Sequence, residues 1–316
     1  MRLAAIHCFA PLSVLVALGL VAAPAGAQDP AVPTGTTGVQ APASAGSTEI
    51  EGQGKFGTAA TQPEDDASKH DVTELTVTAG GLLSTGNARA GAVTGSANFR
   101  LRRKIHQFGA VAVGNYGAAA TAKDGPIEPN VSNVQGRLRY DGFITDRWSA
   151  FLMTTGRHDR FQGLDFRLNV DPGIAFYILP KKNHRLWLEV GYDFQYDIRR
   201  DDAIIQRDDM GVPVLDAMGN TVQIADKTQT VHAARIYLGY SNRLSEKVSF
   251  DTGLEYLQSL LKGDTFRLNW DNALTTQLWG RLSLAATFTL RYENHPLPDV
   301  RRLDTITAMN LVFRFL

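Results

Sequence analysis

The amino-acid sequence predicts an all-β fold, a transmembrane antiparallel up-and-down β-barrel of about 12 strands. Segments of about 11 to 15 residues alternate between apolar and polar side chains. The connections between them are short at one end and mostly longer at the other, which is the layout of outer-membrane barrels. Beyond the N-terminal segment, no window approaches about 18 uninterrupted apolar residues, so a membrane-spanning chain of this kind must close into a barrel.

The N-terminal segment, residues 1–27, is predicted to be a signal peptide. The basic Arg2 precedes an apolar run from Leu12 to Ala23, and Ala25-Gly26-Ala27 has the form of a cleavage site. The single cysteine, Cys8, lies in this segment, so a processed chain has no thiol for a disulfide, a metal site or a nucleophile. The protein is therefore expected in the outer membrane of a Gram-negative bacterium.

Residues 28–70 are predicted to form a disordered periplasmic tail. They are rich in Pro, Gly, Ala, Thr and Ser and have few large apolar side chains, so they cannot bury enough surface to offset the entropy of ordering. The barrel is assigned to residues 71–316. Basic and acidic residues are balanced at 32 each, which gives no reason to expect nucleic acid as a partner.

The predicted strands are the segments in which every second side chain is apolar. They are 72–85, 89–103, 106–118, 131–144, 147–157, 165–179, 185–198, 231–244, 247–260, 265–278, 281–293 and 304–316. Segment 106–118 is rich in glycine and alanine, and its register is ambiguous. A soluble barrel with its apolar face inward is the alternative, but strands of soluble sandwiches usually have only about 5 to 6 residues.

The shorter turns are predicted to face the periplasm, with both termini on that side. The longest connection, 199–230, is expected to contain a hairpin tip from Val212 to Ile224. Trp148, Trp187 and Trp279 lie beside short turns, where aromatic girdles occur. Trp187 and Trp279, however, fall on the same side of their strands as the polar residues. The alternative is therefore that they face inward, at the floor of the lumen.

The polar face of the strands is charged, and arginine facing lipid near the midplane would cost roughly 2 to 4 kcal/mol, so these charges are predicted to line the lumen. The predicted lumen-lining residues are Arg139, Asp171, Glu189, Asp193, Arg235, Glu255 and Arg267. Two functions remain open. One is a narrow channel for small solutes or ions, and the other is a non-conducting structural barrel plugged by its own ion pairs.

The stretch YDGFITDRWSAFLMTTGRHDRFQGLDFRLNVDPGIAFYILPKKNHRLWLEVGYDFQYD, residues 140–197, resembles the salt-induced outer-membrane protein family, whose function is unknown. The hairpin LLSTGNARAG, residues 82–91, is similar to that family's first turn. The resemblance covers residues 72–316 and implies a barrel linked to osmotic or salt stress, with no catalytic residue. The connection 199–230 and the N-terminal tail look like additions to the family pattern.

The partners expected are the lipid bilayer and the barrel-assembly machinery. Barrels of the outer membrane commonly end on a lipid-facing aromatic strand that this machinery recognises. Here Met309, Leu311, Phe313 and Phe315 alternate with other residues, but the final residue is Leu316, so the aromatic is penultimate.

The protein is not expected to be an enzyme, and no cofactor or metal is predicted. The alternative weighed is a hydrolase, or a calcium site, at the extracellular rim, built from His158-Asp159 and the pairs Asp201-Asp202 and Asp208-Asp209. Arginines flank all three sites, and the spacing matches no recognised calcium loop. No histidine pairs recognisably with a serine as a lipid hydrolase would require.

Overall fold

A computed structural model describes residues 72–84, 90–120, 125–181, 184–208, 211–296 and 302–315. The predicted signal peptide, 1–27, and the predicted tail, 28–70, lie outside the described residues. Within the described ranges, no helix is both long enough and apolar enough to cross a membrane.

The described chain forms twelve antiparallel strands that close into one barrel in sequence order. The strands are β1 (Val72–Ser84), β2 (Ala90–Arg103), β3 (His106–Ala120), β4 (Ile127–Phe143), β5 (Trp148–Asp159), β6 (Leu164–Lys181), β7 (His184–Arg199), β8 (Thr228–Arg243), β9 (Val248–Ser259), β10 (Phe266–Trp279), β11 (Leu282–Glu293) and β12 (Leu303–Arg314). Strand β12 pairs with β1 from Thr76↔Arg314 to Ala79↔Leu311 and completes the ring. The predicted fold class is confirmed.

The two faces of each strand are inverted relative to a soluble barrel. On β4, Leu138 is 54% exposed on the outside, whereas the neighbouring Arg139 is 1% exposed on the inside. The same alternation places Val190 outside and Glu189 inside on β7. Because the apolar side chains face outward and the charged ones inward, the barrel is built for a hydrocarbon exterior, and the soluble alternative does not fit.

Strand boundaries differ from the predictions mainly next to the longer loops. Strand β4 begins at Ile127 rather than at 131, and β8 begins at Thr228 rather than at 231. The ambiguous third segment has a single register, with Gln107 inside and Phe108 outside. Pairing with β2 and β4 decides this register, because the small side chains of β3 do not distinguish the two faces.

The longest connection is folded above the strands rather than open. It begins with a short 3₁₀ helix, Asp201–Ala203, and continues through three isolated bridges, Ile205↔Gln223, Arg207↔Pro213 and Leu215↔Thr221. The tip is a turn in which the Asp216 carboxylate accepts hydrogen bonds from the backbone N–H groups of Met218 and Asn220. A hairpin tip therefore stands where the alternation between Val212 and Ile224 predicts one.

Candidate functional site: the charged interior

A chain of ion pairs crosses the barrel interior. Arg139 on β4 contacts Asp141 at 2.8 Å and reaches Glu189 on β7 at 3.0 Å. Glu189 also accepts from Arg235 on β8 at 3.1 Å, and Arg235 donates to Glu255 on β9 at 2.7 Å. We call these five residues the central ion network.

The central ion network reaches the opposite wall of the barrel. Asn269 on β10 donates to Glu255 at 2.9 Å, and β10 lies opposite β4 in the ring of twelve strands. The step from Arg139 to Glu189 passes over β5 and β6, so it is a chord across the lumen rather than a contact between neighbouring strands. All five charged side chains are at most 1% exposed, so the network is enclosed within the interior.

The remaining predicted residues form a second group towards the long loops. Asp193 on β7 accepts from Asn169 at 2.7 Å and lies 3.5 Å from Arg267 on β10. Asp171 on β6 is fully buried beside Asp193. The structure thus places all seven predicted residues inside the barrel. Arg139, Glu189, Arg235 and Glu255 belong to the central ion network, and Asp171, Asp193 and Arg267 form the second group.

An aromatic floor lies in the interior towards the short turns. It consists of buried apolar and aromatic side chains on β4 to β8 and β10, namely Phe143, Phe151, Met153, Ala175, Tyr177, Trp187, Tyr237 and Ala273. The Arg139 guanidinium lies 4.3 Å above the Phe151 ring and joins the ion network to the floor. The alternation along the strands could have identified this floor, because Tyr177 and Trp187 occupy positions on the polar, inward face of their strands.

Two glycines let floor rings lie flat against the wall. A Cβ atom built at Gly239 would lie 2.1 Å from the Trp187 ring, and one at Gly253 would lie 2.2 Å from the Tyr237 hydroxyl. Gly239 lies directly opposite Trp187, and Gly253 lies two residues from Glu255, the residue opposite Tyr237, so in both cases the absence of a side chain on the neighbouring strand creates the space that the ring fills.

Of the two tryptophans with polar parity, only Trp187 joins the floor. Trp187 is 2% exposed, whereas Trp279 is 85% exposed on the outside of the barrel. A register shift between Gln277 and Trp279 reverses the inward and outward alternation at the end of β10. Trp148 also faces outward, in agreement with an aromatic girdle beside the short turns.

The interior opens towards the long loops in a small vestibule of ≈ 90 Å³. Its lining contains basic, acidic, hydroxyl and apolar side chains from β6 to β11 and the adjoining loops. The charged and histidine side chains are Arg167, Lys262, Arg267, Glu293 and His295. Arg167 is held by Asp197 through bonds of 2.7 and 2.8 Å.

The rim residues weighed for hydrolysis or calcium binding are held in separate contacts. His158 faces outward and contacts the Asp165 carbonyl at 2.8 Å, whereas Asp159 faces inward and accepts from Arg157 at 2.7 Å. Asp201 accepts from Lys227 at 2.7 Å. Asp209 lies outside the described residues.

Charge pairing at the rim shifts two pKa values. The hydrogen bond from Arg200 lowers the pKa of Asp202, and the hydrogen bond to Asp201 raises the pKa of Lys227. Both groups are thereby held in their charged forms. Across the described part of the chain, no three His, Cys, Asp or Glu side chains are grouped to hold a metal ion.

Solved structures with a similar architecture are membrane barrels. The NanC porin aligns with 77% of this chain and 100% of its own, at 10% identity and a TM-score of 0.44. The translocator domain of the autotransporter NalP from Neisseria meningitidis aligns with 79% of this chain and 91% of its own, at 12% identity and a TM-score of 0.39. A FadL homologue from Pseudomonas aeruginosa aligns with 72% of this chain and 67% of its own, at 11% identity and a TM-score of 0.28.

At such low identity these likenesses concern architecture alone. A comparison with curated proteins found no match. The family described as "Protein of unknown function, DUF481" matches residues 77–315, three quarters of the sequence, and the chain belongs to that family.

Proposed function

We propose that this protein is an outer-membrane channel for small solutes whose lumen is closed, in the described conformation, by the central ion network above the aromatic floor. The observation that carries the proposal is the chord between Arg139 on β4 and Glu189 on β7, with a contact of 3.0 Å. This ion pair bridges the lumen, and separating its two partners would remove the contact that crosses the passage above the floor.

Stability alone is a weak explanation for such a chord. Replacing a buried ion pair by apolar side chains of similar volume is often neutral or stabilising, because desolvation offsets the attraction between the charges. The same level of the barrel also offers large apolar side chains, such as Phe151 and Met153, that fill space without charge. Charges that cross the lumen are better suited to a barrier that forms and breaks.

The vestibule supports the same function, because it gives solutes an entrance above the barrier. It is lined by Arg167 on β6 and by Arg267, which belongs to the second group of buried charges.

The test is single-channel conductance of the refolded protein in planar bilayers. The double variant Arg139→Ala/Glu189→Ala removes both partners of the chord, and we expect open events that are several times larger or more frequent than those of the wild type. The matched control is Arg200→Ala/Asp202→Ala, which removes an ion pair of 3.0 Å at the exposed rim. This control should leave conductance unchanged.

A non-conducting structural barrel is the second candidate function. The complete burial of Glu189 and Arg235 favours it, since neither side chain is exposed to solvent in the described conformation. Silence from correctly folded wild-type protein and from the Arg139→Ala/Glu189→Ala variant, together with no entry of uncharged solutes into proteoliposomes, would establish this alternative. Large conductance from the double variant would reject it.

The proposed location is the Gram-negative outer membrane, with the long loops outside and insertion by the barrel-assembly machinery. Phe313 on β12 and Phe315 just after it both face outward, where such machinery would contact this strand. Heat-dependent electrophoretic mobility of the protein in isolated outer membranes tests this location. Recovery from the inner-membrane or soluble fraction would contradict it.

The proposed link to osmotic or salt stress is supported by the resemblance of residues 140–197 to the salt-induced family. Growth of a deletion strain in high-salt medium, with complementation by the wild type or by the Arg139→Ala/Glu189→Ala variant, tests this link. Equal growth of the deletion and parent strains at every salt concentration would contradict it.

A further inference from the structure

The interior wall formed by β11, β12, β1 and β2 differs chemically from the rest of the lumen. The central ion network extends from β4 to β9, whereas this wall presents small uncharged polar side chains at the middle of the barrel. We call it the polar wall, and it consists of Thr78, Thr94, Ser96, Thr287, Thr289 and Asn310.

Three side chains of the polar wall are buried and unpartnered. Thr78, Ser96 and Asn310 are only 1%, 6% and 1% exposed. Among the described residues, their side-chain polar atoms, both atoms of the Asn310 amide included, contact no hydrogen-bond partner. Buried polar groups in folded proteins nearly always have partners. Unpartnered atoms also occur elsewhere in the described interior, as on Gln135, but here they belong to three neighbouring small uncharged side chains, which a polar solute could satisfy.

The three side chains are neighbours at the seam that closes the barrel. Thr78 on β1 is directly opposite Ser96 on β2, and Val312 on β12 is directly opposite Thr78 on its other side. Asn310 precedes Val312 by two residues and therefore shares its inward face. Higher on the same wall the pattern changes, because Thr94 donates to Asn115 at 2.5 Å.

We propose that the polar wall is the solute path of the channel and selects small uncharged hydroxylated molecules, namely water and polyols of the size of glycerol. This inference rests on the proposed channel function and names its substrate class. Hydroxyl and amide groups both donate and accept hydrogen bonds, as a polyol does, so they can replace its hydration during passage. At the middle of the wall, no charged side chain of the described residues would compensate an ion for lost water, whereas Arg100 on β2 and Arg291 on β11 face inward nearer its two ends.

The first test measures whether water-soluble reagents reach the polar wall. Cys8 is the only cysteine, so the full chain with Cys8→Ser is a background free of thiols. In liposomes, we expect neutral methyl methanethiosulfonate to modify Ser96→Cys at least ten times faster than Met153→Cys, a fully buried position in the floor. The anionic sulfonatoethyl reagent should modify Ser96→Cys much more slowly than the neutral one.

Two results of this labelling would overturn the polar wall as a path. One is modification of Ser96→Cys that is no faster than that of Met153→Cys. The other is an anionic reagent that reacts at Ser96→Cys as fast as the neutral reagent, because the path would then not discriminate against charge.

The second test measures passage by the swelling of proteoliposomes in glycerol, erythritol and potassium glutamate. We expect glycerol and erythritol to enter at least five times faster than glutamate. Asn310→Leu and Thr78→Leu should each slow polyol entry at least fivefold, whereas Thr307→Leu, an outward position on β12, and Thr78→Ser should not. Heat-dependent electrophoretic mobility identifies the variants that have folded.

The two proposals fail in different ways. Swelling with none of the three solutes, by the wild type and the Arg139→Ala/Glu189→Ala variant alike, would overturn the channel and the path together. Polyol swelling that folded Asn310→Leu and Thr78→Leu leave unchanged would overturn the path alone and leave the channel standing.

Discussion

Trp187 on β7 lies directly opposite Gly239 on β8, and its ring occupies the space that a side chain at Gly239 would need. A Cβ atom there would lie 2.1 Å from the ring, which is far inside van der Waals contact. The floor of the lumen therefore depends on a residue that contributes no side chain of its own.

Gly239→Ala should consequently displace Trp187 and destabilise the barrel by about 1 to 3 kcal/mol, the usual cost of overpacking. Urea unfolding of the refolded protein in detergent measures the loss. The matched control is Gly95→Ala, since a Cβ atom at Gly95 meets nothing within 4 Å. Equal stability of the two variants would contradict the role of Gly239.

Asp193→Leu should both destabilise the barrel and alter its conductance. The substitution removes the carboxylate that accepts from Asn169 at 2.7 Å and lies 3.5 Å from Arg267, and removing one partner of a buried pair costs about 3 to 5 kcal/mol. Leu188→Ala, on the outer face of the same strand, should leave conductance alone. Identical conductance of both variants and the wild type would contradict a functional role for this group.

Acid should loosen the long connection, residues 200–227, before it affects the strands. Hydrogen bonds from the backbone N–H groups of Asn220 and Met218 lower the pKa of Asp216, and Arg200 lowers that of Asp202. A carboxylate with a lowered folded-state pKa stabilises above its unfolded value, about 3.9, and loses this contribution as the pH falls through the folded value.

Limited proteolysis of this connection at pH 7 and near pH 3, with an acid-active protease at the lower pH and a matched disordered reference peptide, checks the prediction. Cleavage relative to the reference should rise at the lower pH. Asp216→Ala should show raised cleavage at pH 7 already, because the turn loses both hydrogen bonds. Relative cleavage that is the same at both pH values would contradict the assignment.

The four tryptophans should divide into one interior and three exterior residues. Trp187 is buried in the floor, whereas Trp148, Trp270 and Trp279 are exposed on the outside. In single-tryptophan variants reconstituted with brominated lipids, Trp148, Trp270 and Trp279 should be quenched and Trp187 should not. Strong quenching of Trp187 would place it on the lipid face and remove the floor.

The sequence by itself determined the kind of fold and the face on which each charge lies. Alternation such as Leu188, Glu189 and Val190 is sufficient, because hydrocarbon outside the barrel accepts only the apolar face and the lumen must take the other. The same argument placed Arg139, Glu189 and Arg235 inside without any knowledge of their partners. The position of Trp187 on the polar side of β7 also indicated that it could face the interior.

Tertiary structure decided which inward side chains meet. Arg139 and Glu189 are 50 residues apart and come together across two intervening strands, a distance that depends on barrel curvature and strand stagger rather than on local pattern. The register shift after Gln277 reversed the parity of Trp279.

The polar wall joins Thr78, near the start of the barrel, to Asn310, near its end. These residues come together only because the first and last strands pair when the sheet closes into a barrel. The alternation of residues along the chain predicts the strands but not which of them pair at closure.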